Sequence, residues 1–373
     1  MTISTADNLI AAISNGRFYR CDWNKQTLPT TAQAAGQWYD LSQGFGNPSV
    51  NAIIGSSANL AHQAVSDTTS VTATTAATSG NITTTVFTDT THNTGRFTVG
   101  MMLSGSGVTP GTYITSLGTG TGANSGATYN INISQSVTSQ TITGTAYANS
   151  FQTGGVVSTN IKNLVDAHVF TLGATSAPAV MMLYDMLAVY TISSVTTTGA
   201  QSFTGQTAWP RYANGVGVRA FLVANQVMGI GTPTVQLSYT NPGAVSGQNT
   251  PAAPSLPTLA TTAPVGMIPY SGTGAGKFGP FLPLVAGDQG IKSVESINFS
   301  ATMTSGCMNL VICKPLITLP LTSIGVAGER DYVNQLPSMP VIQDGACLNW
   351  LMYAGAATPI STNFWGNFDF AWG

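Results

Sequence analysis

Charged residues are scarce in this chain of 373 residues. Lys and Arg together number 11 and Asp and Glu 13, so only 6% of residues are charged, against about 25% in an average soluble domain. The net charge of −2, without a basic cluster, excludes the phosphate contacts on which nucleic-acid binding depends. A hydrophobic content of 43% is nevertheless sufficient for folding. Because a monomer of this mass would expose about 14,000 Å², we predict a surface that is coated with hydroxyls and amides or buried against other chains.

Cysteine is also scarce, since Cys21, Cys307, Cys313 and Cys347 are the only four in the chain. So few cysteines exclude a scaffold supported mainly by disulfides. Cys307 and Cys313 would share one face of a strand at a separation too long for a bond. We therefore expect buried free thiols. Pairing of Cys21 with one of the other three, or with a neighbouring subunit, stays open.

No apolar run is long enough to cross a bilayer. The most apolar window, residues 177–192, is interrupted by Asp185 and falls short of the roughly 20 residues that a spanning helix needs. It predicts a buried element instead. Asp7 stands where a secretory signal would have its basic region, and no apolar stretch of sufficient length follows. The sequence therefore predicts neither a signal peptide nor a membrane partner.

Motifs for catalysis are missing from the sequence. The nucleophile elbow G-x-S-x-G and the zinc motif H-E-x-x-H do not occur, and His62, His92 and His168 have no metal-ligand spacing. Residues 274–279 match G-x-G-x-x-G, but Pro280 follows, so no helix can begin there to bind a pyrophosphate. We predict a hairpin or interface loop at this position, and no catalytic residue, cofactor or metal.

His168 and His92 are predicted to have structural rather than catalytic roles. His168 follows Asp166 on a predicted helix and is interpreted as a satisfied core or interface residue rather than a base. His92 lies in residues 89–95, which depart from the D-x-[DN]-x-[DN]-G calcium loop. A polar turn is predicted there.

The composition changes near residue 66 and changes back near residue 148. Between these limits the chain is rich in Thr, Ser and Gly, with short apolar alternations at residues 97–103 and 129–133. Alternation of this kind predicts half-buried strands, and the glycine-rich segments between them predict turns. We therefore predict a small all-β domain at 66–148, inserted into a host domain formed by residues 1–65 and 149–373.

The host is predicted to be an antiparallel β-sandwich, jelly-roll-like, with a few short helices, so that the whole chain is mainly β. A helix is predicted at 5–13, where a capping Thr and an early Asp precede apolar residues at helical spacing. Two further helices are predicted at 59–65 and 160–169. Strands are predicted at 188–195, 217–223, 234–239, 294–303, 308–313 and 367–372.

Two segments are candidates for contact between subunits. Residues 241–264 contain five prolines, which predicts an extended arm: a surface loop, or a strap across a neighbouring subunit. Phe368, Phe370 and Trp372 line one side of the final predicted strand. That strand is interpreted as a core strand of its own domain, with addition to a neighbour's sheet as the alternative.

Glu329, Arg330 and Asp331 form a short charged cluster between glycines and prolines. A turn at this position predicts either an ion pair between subunits or a solvated loop. These three residues, together with the three C-terminal aromatics, are the candidate intersubunit contacts.

The inserted tract resembles a β-module of tailed-bacteriophage virion proteins. The resemblance lies in residues 97–108 (FTVGMMLSGSGV), 110–120 (PGTYITSLGTG), Tyr129 and 134–137 (SQSV), and covers about 80 residues. Flanking host segments at 15–20 (NGRFYR) and 355–359 (GAATP) are similar to phage structural proteins as well. No catalytic or binding residue is transferred by this resemblance.

The resemblance implies a non-enzymatic structural component of a phage virion, assembled in the cytoplasm of the bacterial host. The leading hypothesis is a multimeric decoration or cement protein on the head exterior, with the 66–148 domain projecting outward. Its partners would be copies of itself, as a trimer or another symmetric oligomer, and the capsid shell. The alternatives are the major capsid protein, a tail or baseplate protein, and a carbohydrate-binding receptor module. That module would use Trp209 and Tyr212 as a stacking platform, against which a packed turn is favoured.

Overall fold

The fold is described from a computed structural model of the chain. The residues that the structure describes are 3–26, 34–41, 75–94, 97, 102–109, 112, 114–119, 125–145, 151, 153–154, 157, 159–173, 176–192, 198–203, 209, 211–224, 228–229, 231, 233–251, 266–269, 279–304, 308–358 and 362–373.

The chain is mainly β, as predicted. The first helix and nine strands are α1 (Ala6–Ser14), β1 (Phe18–Gln26), β2 (Gln37–Asp40), β3 (Thr75–Thr94), β4 (Met102–Ser104), β5 (Ile114–Leu117), β6 (Thr128–Thr145), β7 (Lys162–Thr171), β8 (Ala179–Thr191) and β9 (Gly199–Ser202). The remaining elements are β10 (Arg219–Ala224), β11 (Val235–Thr240), β12 (Gln248–Asn249), β13 (Ser293–Phe299), β14 (Met308–Leu321), β15 (Gly328–Asp331), a 3-10 helix (Val333–Ser338), β16 (Val341–Ile342), β17 (Leu348–Ala354) and β18 (Asn363–Trp372).

The strands form four antiparallel sheets. The first sheet has the order β1-β18-β7-β15, with β16 also paired to β7. The second has the order β10-β14-β8-β17-β2, and the third β12-β11-β13-β9. The fourth has the order β3-β6-β4, with β5 also paired to β6. The predicted antiparallel fold class is therefore confirmed.

The first and second sheets pack face to face through large aromatic rings. Trp350 of β17 lies with its ring centroid 6.0 Å from that of Trp23 in β1 and 5.5 Å from that of Phe368 in β18. Gly366 leaves room for the Trp23 ring over β18, because a Cβ there would lie 2.6 Å from that ring and would overlap the His168 carbonyl oxygen. The aromatic layer between these two sheets belongs to the larger of the two hydrophobic clusters.

The fourth sheet has a hydrophobic cluster of its own. All its strands lie between residues 75 and 145, and the rings of Phe87, Phe97 and Tyr129 pack with centroids 5.1–5.3 Å apart. Both the sheet and the cluster fall inside the segment predicted as an inserted domain.

His92 lies in strand β3, so the predicted polar turn is wrong. Its Nδ1 is 2.6 Å from a carboxylate oxygen of Asp89, which is fully buried and also accepts a hydrogen bond from the Thr78 hydroxyl. A buried carboxylate requires such partners, and backbone hydrogen bonds from Asp89 N–H to the Ala127 carbonyl and from Gly126 N–H to the Asp89 carbonyl keep this part of β3 extended.

The predicted helix at 5–13 is confirmed as α1, where the Thr5 hydroxyl accepts a hydrogen bond from the Asn8 backbone N–H. The helix predicted at 160–169 is wrong, because these residues enter β7, which lies between β18 and β15. The helix predicted at 59–65 lies outside the described residues. The predicted strands overlap β8, β10, β11, β13, β14 and β18.

The beginning of the predicted arm is tied to the third sheet by Glu295 of β13. Its carboxylate accepts hydrogen bonds from the Gly247 backbone N–H and from the Ser238 and Thr240 hydroxyls. Partial burial raises the pKa of Glu295, but these three hydrogen bonds outweigh burial and lower the pKa below its ordinary value. Residues 252–264 of the arm lie outside the described residues.

We expect Glu295→Ala to lower the free energy of unfolding by about 1–3 kcal/mol, since three donors lose a charged acceptor. Because the folded pKa is lowered, the contribution of Glu295 is fully present above its unfolded pKa and is lost as the pH falls through the folded value. Urea denaturation of the wild type and of Glu295→Ala at several pH values measures both effects. Curves for the two proteins that stay equally far apart at all pH values would contradict the linkage.

Candidate functional site

One face of the first sheet carries two rows of polar side chains. The pairing of β1, β18, β7 and β15 aligns these side chains across the sheet. One row consists of Arg20, Asp369, Asp166 and Asp331, and the next of Asp22, Asn367, His168 and Glu329. Residues two apart on a strand share a face, so both rows lie on the same side of the sheet. The opposite side faces the aromatic core. We call these eight residues the acidic face.

The acidic face concentrates charge that is scarce elsewhere. It holds five of the 13 acidic residues of the chain and one of the 11 basic ones. Three other acidic residues, Asp40, Asp89 and Asp185, are fully buried. The face is open to solvent at its margins, where the side chains of Asp22 and Glu329 are 75% and 55% exposed.

His168 is at the centre of a network of short contacts. Its Nε2 lies 2.7 Å from an oxygen of Asp166 and 3.6 Å from an oxygen of Glu329. On the other side of the face, the Arg20 guanidinium lies 3.1 Å from Asp22 and 3.5 Å from Asp369. His168 and Arg20 therefore each lie between two carboxylates.

Two carboxylates at the middle of the face are incompletely compensated. Burial raises the pKa of Asp166 above its ordinary value, and Asp369 raises it further, although His168 lowers it in part. Burial likewise raises the pKa of Asp369, against the lowering effect of Arg20 and His168. In both residues Oδ1 is buried and has no hydrogen-bond donor within the described part of the chain. The centre of the face thus has spare capacity to bind a cation or a donor.

Glu329, Arg330 and Asp331 lie in edge strand β15, not in the predicted turn. Pairing with β7 fixes them in register, opposite His168, Ala167 and Asp166. Glu329 and Asp331 therefore belong to the acidic face. Arg330 is exposed and lies 5.6 Å from the ring centroid of Tyr332.

The final strand, β18, is a core strand of the first sheet rather than an addition to a neighbour's sheet. β18 is paired on both sides, by β1 and β7. Phe368 and Phe370 are fully buried within the chain and present no surface to another subunit, which removes them as candidate contacts. Trp372 is partly exposed.

The stacking platform hypothesised for Trp209 and Tyr212 is wrong. Trp209 is buried, and its indole N–H donates a hydrogen bond to the Ile291 carbonyl. Tyr212 is partly buried. A buried indole cannot stack on a sugar ring from solvent.

The sequence analysis did not predict the buried ion pair between Arg211 and Asp185 of strand β8. Arg211 donates to both carboxylate oxygens of Asp185, over 2.7 and 2.8 Å, and to the Met186 carbonyl. Burial lowers the pKa of Arg211, but the Asp185 carboxylate outweighs burial and raises it. Asp185 is the sequence feature that could have predicted this pair, because a single charge inside an apolar window requires a partner.

Three further predictions concern the cysteines, the glycine-rich motif and a membrane span. Cys21, Cys313 and Cys347 are buried, as predicted, whereas Cys307 lies outside the described residues. Residues 274–278 of the glycine-rich motif also lie outside them. Within the described residues, no helix is both long and apolar enough to span a membrane.

Comparisons with known proteins give little. No protein-family model matches the sequence, and no curated protein is significantly similar to it. Among solved structures, the chain is weakly similar to a structure of infectious bursal disease virus, Gt strain. The sequences are 9% identical, the match covers 94% of this chain and 82% of that chain, and the TM-score is 0.14. A second is the VP2 subviral particle of infectious bursal disease virus, with 11% identity, 84% and 83% coverage, and a TM-score of 0.13. Scores this low do not establish a shared fold and carry no argument about function.

Proposed function

We propose that the chain is a non-enzymatic structural component of a bacteriophage virion, a multimeric decoration or cement protein on the exterior of the head. The acidic face is the observation that carries this proposal. On a chain in which 6% of residues are charged, charge gathered in one place favours a specific contact, because complementary charges fix the register and orientation of two surfaces. A scaffold made of antiparallel sheets holds that surface rigid.

The partner of the acidic face is a surface rich in cations or hydrogen-bond donors, such as one on the capsid shell. A second acidic face is a poor partner, since like charges brought together are unfavourable. Copies of the chain would then associate through their uncharged surfaces, and repetition over a symmetric shell would add many modest contacts. The resemblance of residues 97–137 to a phage β-module supports the same location.

The proposal predicts many copies per particle on the outer surface of the head. Antibodies against the purified chain should label heads in electron micrographs of the phage whose genome encodes it, and quantitative mass spectrometry should count tens of copies or more per particle. Label on the tail or baseplate would favour that alternative, and a copy number equal to that of the shell protein would favour the major capsid alternative. Unlabelled particles would rule the proposal out.

The acidic face predicts a charge-dependent attachment to the head. We expect Asp331→Lys to weaken rebinding to heads stripped of the protein by about tenfold or more, because reversing one charge opposes a complementary surface. The matched control is Asp7→Lys in the first turn of α1, an exposed residue outside the face. Cosedimentation measures the occupancy of both variants. Equal occupancy of Asp331→Lys and the control would exclude the face from the attachment.

A further inference from the structure

We propose that Asp166, His168 and Glu329 bind a divalent transition-metal cation of the Zn²⁺ class. The three side chains offer one imidazole nitrogen and two carboxylate oxygens, and these atoms lie within 4.8 Å of one another. Three such atoms on one cation, each about 2.0–2.2 Å from it, lie at most about 4.4 Å apart, so small side-chain rotations suffice to bring the donors onto a cation. The site does not depend on the proposed role in a virion.

Two strands hold the donors in position before any cation arrives. Asp166 and His168 are two residues apart on β7 and so share a face. Glu329 is directly opposite His168 on β15, at the cross-strand separation at which side chains meet. The distances from His168 Nε2 to the two carboxylates, 2.7 and 3.6 Å, bracket the separation of two donors on one tetrahedral cation.

The surroundings of the three donors point independently to a cation. Asn367, opposite His168 in register, is only 8% exposed, and its side-chain amide donates to the Asp369 carboxylate, which lowers the pKa of Asp369 in part. Oδ1 of Asp166 and Oδ1 of Asp369 are buried, and neither atom accepts a hydrogen bond from a described residue. Buried polar atoms without partners are unfavourable. A bound cation would compensate the two oxygens.

The donor set selects the class of metal. Imidazole nitrogen suits Zn²⁺ and its neighbours among the first-row metals, whereas Mg²⁺ and Ca²⁺ prefer sites made entirely of oxygens. Arg20 does not compete for the donors, because its guanidinium is directed to Asp22 and Asp369. The strand that supplies Glu329 is at the edge of the sheet, which leaves one side of the site open to water or to a partner.

The test is titration of the untagged full-length chain with ZnCl₂, followed by isothermal calorimetry. We expect one Zn²⁺ per chain, and no saturable binding of MgCl₂ or CaCl₂ at the same concentrations. Co²⁺ should give the visible absorption bands of a tetrahedral site and should be displaced by Zn²⁺. Absence of stoichiometric Zn²⁺ binding would overturn the proposal.

Variants separate a coordinated cation from general electrostatic attraction. His168→Ala and Glu329→Gln should each weaken Zn²⁺ binding by about 100-fold, because each removes a metal ligand. Loss of a residue that only hydrogen-bonds to a ligand already weakens metal binding by about 10- to 100-fold. Asp22→Asn and Asp331→Asn remove a charge from the same face but no ligand, so both should retain affinity within about threefold. Equal loss in the ligand variants and these controls would overturn the proposal. Glu329 is exposed, so Glu329→Gln keeps the test valid should His168→Ala fail to fold.

Discussion

Arg211→Ala is expected to lower the free energy of unfolding by about 3–5 kcal/mol, as is usual when one partner of a buried ion pair is removed. Asp185 is fully buried, and both its oxygens accept hydrogen bonds from Arg211. After the substitution its carboxylate keeps the hydrogen bond from the Cys347 backbone N–H, at 2.8 Å, but has lost the positive charge. Urea denaturation followed by circular dichroism measures the difference.

Two controls isolate the pairing from the loss of an arginine side chain. Arg330→Ala makes the same chemical change at an exposed position and should alter the free energy of unfolding by about 0.5 kcal/mol or less. Arg211→Lys keeps the charge but loses the two-pronged geometry, so its effect should be intermediate. If Arg211→Ala and Arg330→Ala have equal effects, the ion pair does not stabilise the fold.

The sequence predicts best those elements whose cause is local. Helix α1 follows from a capping Thr, an early Asp and apolar spacing, all within ten residues. Strand β11 follows from alternation, since its buried and half-buried residues alternate along its whole length. In such segments, one face meets the core and the other does not, so the periodicity is visible without knowledge of any partner.

The elements that sequence reasoning missed are determined by pairing between distant segments. The first four residues of β7 are all buried, so alternation is lost there and the sequence pattern predicts a helix instead. β14 contains Pro315 and Pro320, which discourage a strand prediction. The register shift between Pro315 and Ile317 accommodates the first of these within the β8 pairing. Only the neighbouring strands explain either segment.

The acidic face could be predicted only in part, for the same reason. The cluster at 329–331 is visible in the sequence as charge in a charge-poor chain, although the sequence predicts a turn or solvated loop there and not a strand. Its neighbours come from β1, β7 and β18, which are far apart in the sequence. The register of three strand pairs brings them together. No spacing rule could therefore have shown the grouping of Asp166, His168 and Glu329.

Trp350→Ala is expected to lower the free energy of unfolding by about 3–5 kcal/mol, through lost apolar burial and the cavity left between the sheets. Trp350 is among the largest fully buried side chains in the described part of the chain, and it contacts the rings of Trp23 and Phe368. Its effect is thus exerted on both sheets at once. Guanidinium denaturation, followed by circular dichroism, measures the change.

Trp350→Phe discriminates between loss of ring packing and loss of the indole N–H. No described residue accepts a hydrogen bond from the Trp350 N–H, so phenylalanine keeps an aromatic ring and removes a buried donor without a partner. Its effect should therefore be less than half that of Trp350→Ala. An equal effect would mean that the N–H has an acceptor and contributes to stability.

Hydrogen exchange on Trp350→Ala also tests the predicted division into domains. The cluster around Phe87, Phe97 and Tyr129 contains no residue of the cluster around Trp350. If residues 66–148 form a domain with its own stability, amide protection in β6 should be unchanged while protection in β17 and β18 falls, because local opening follows the core that each strand buries. Equal loss of protection in β6 and β17 would show that the two cores unfold as one cooperative unit and that the inserted segment depends on its host.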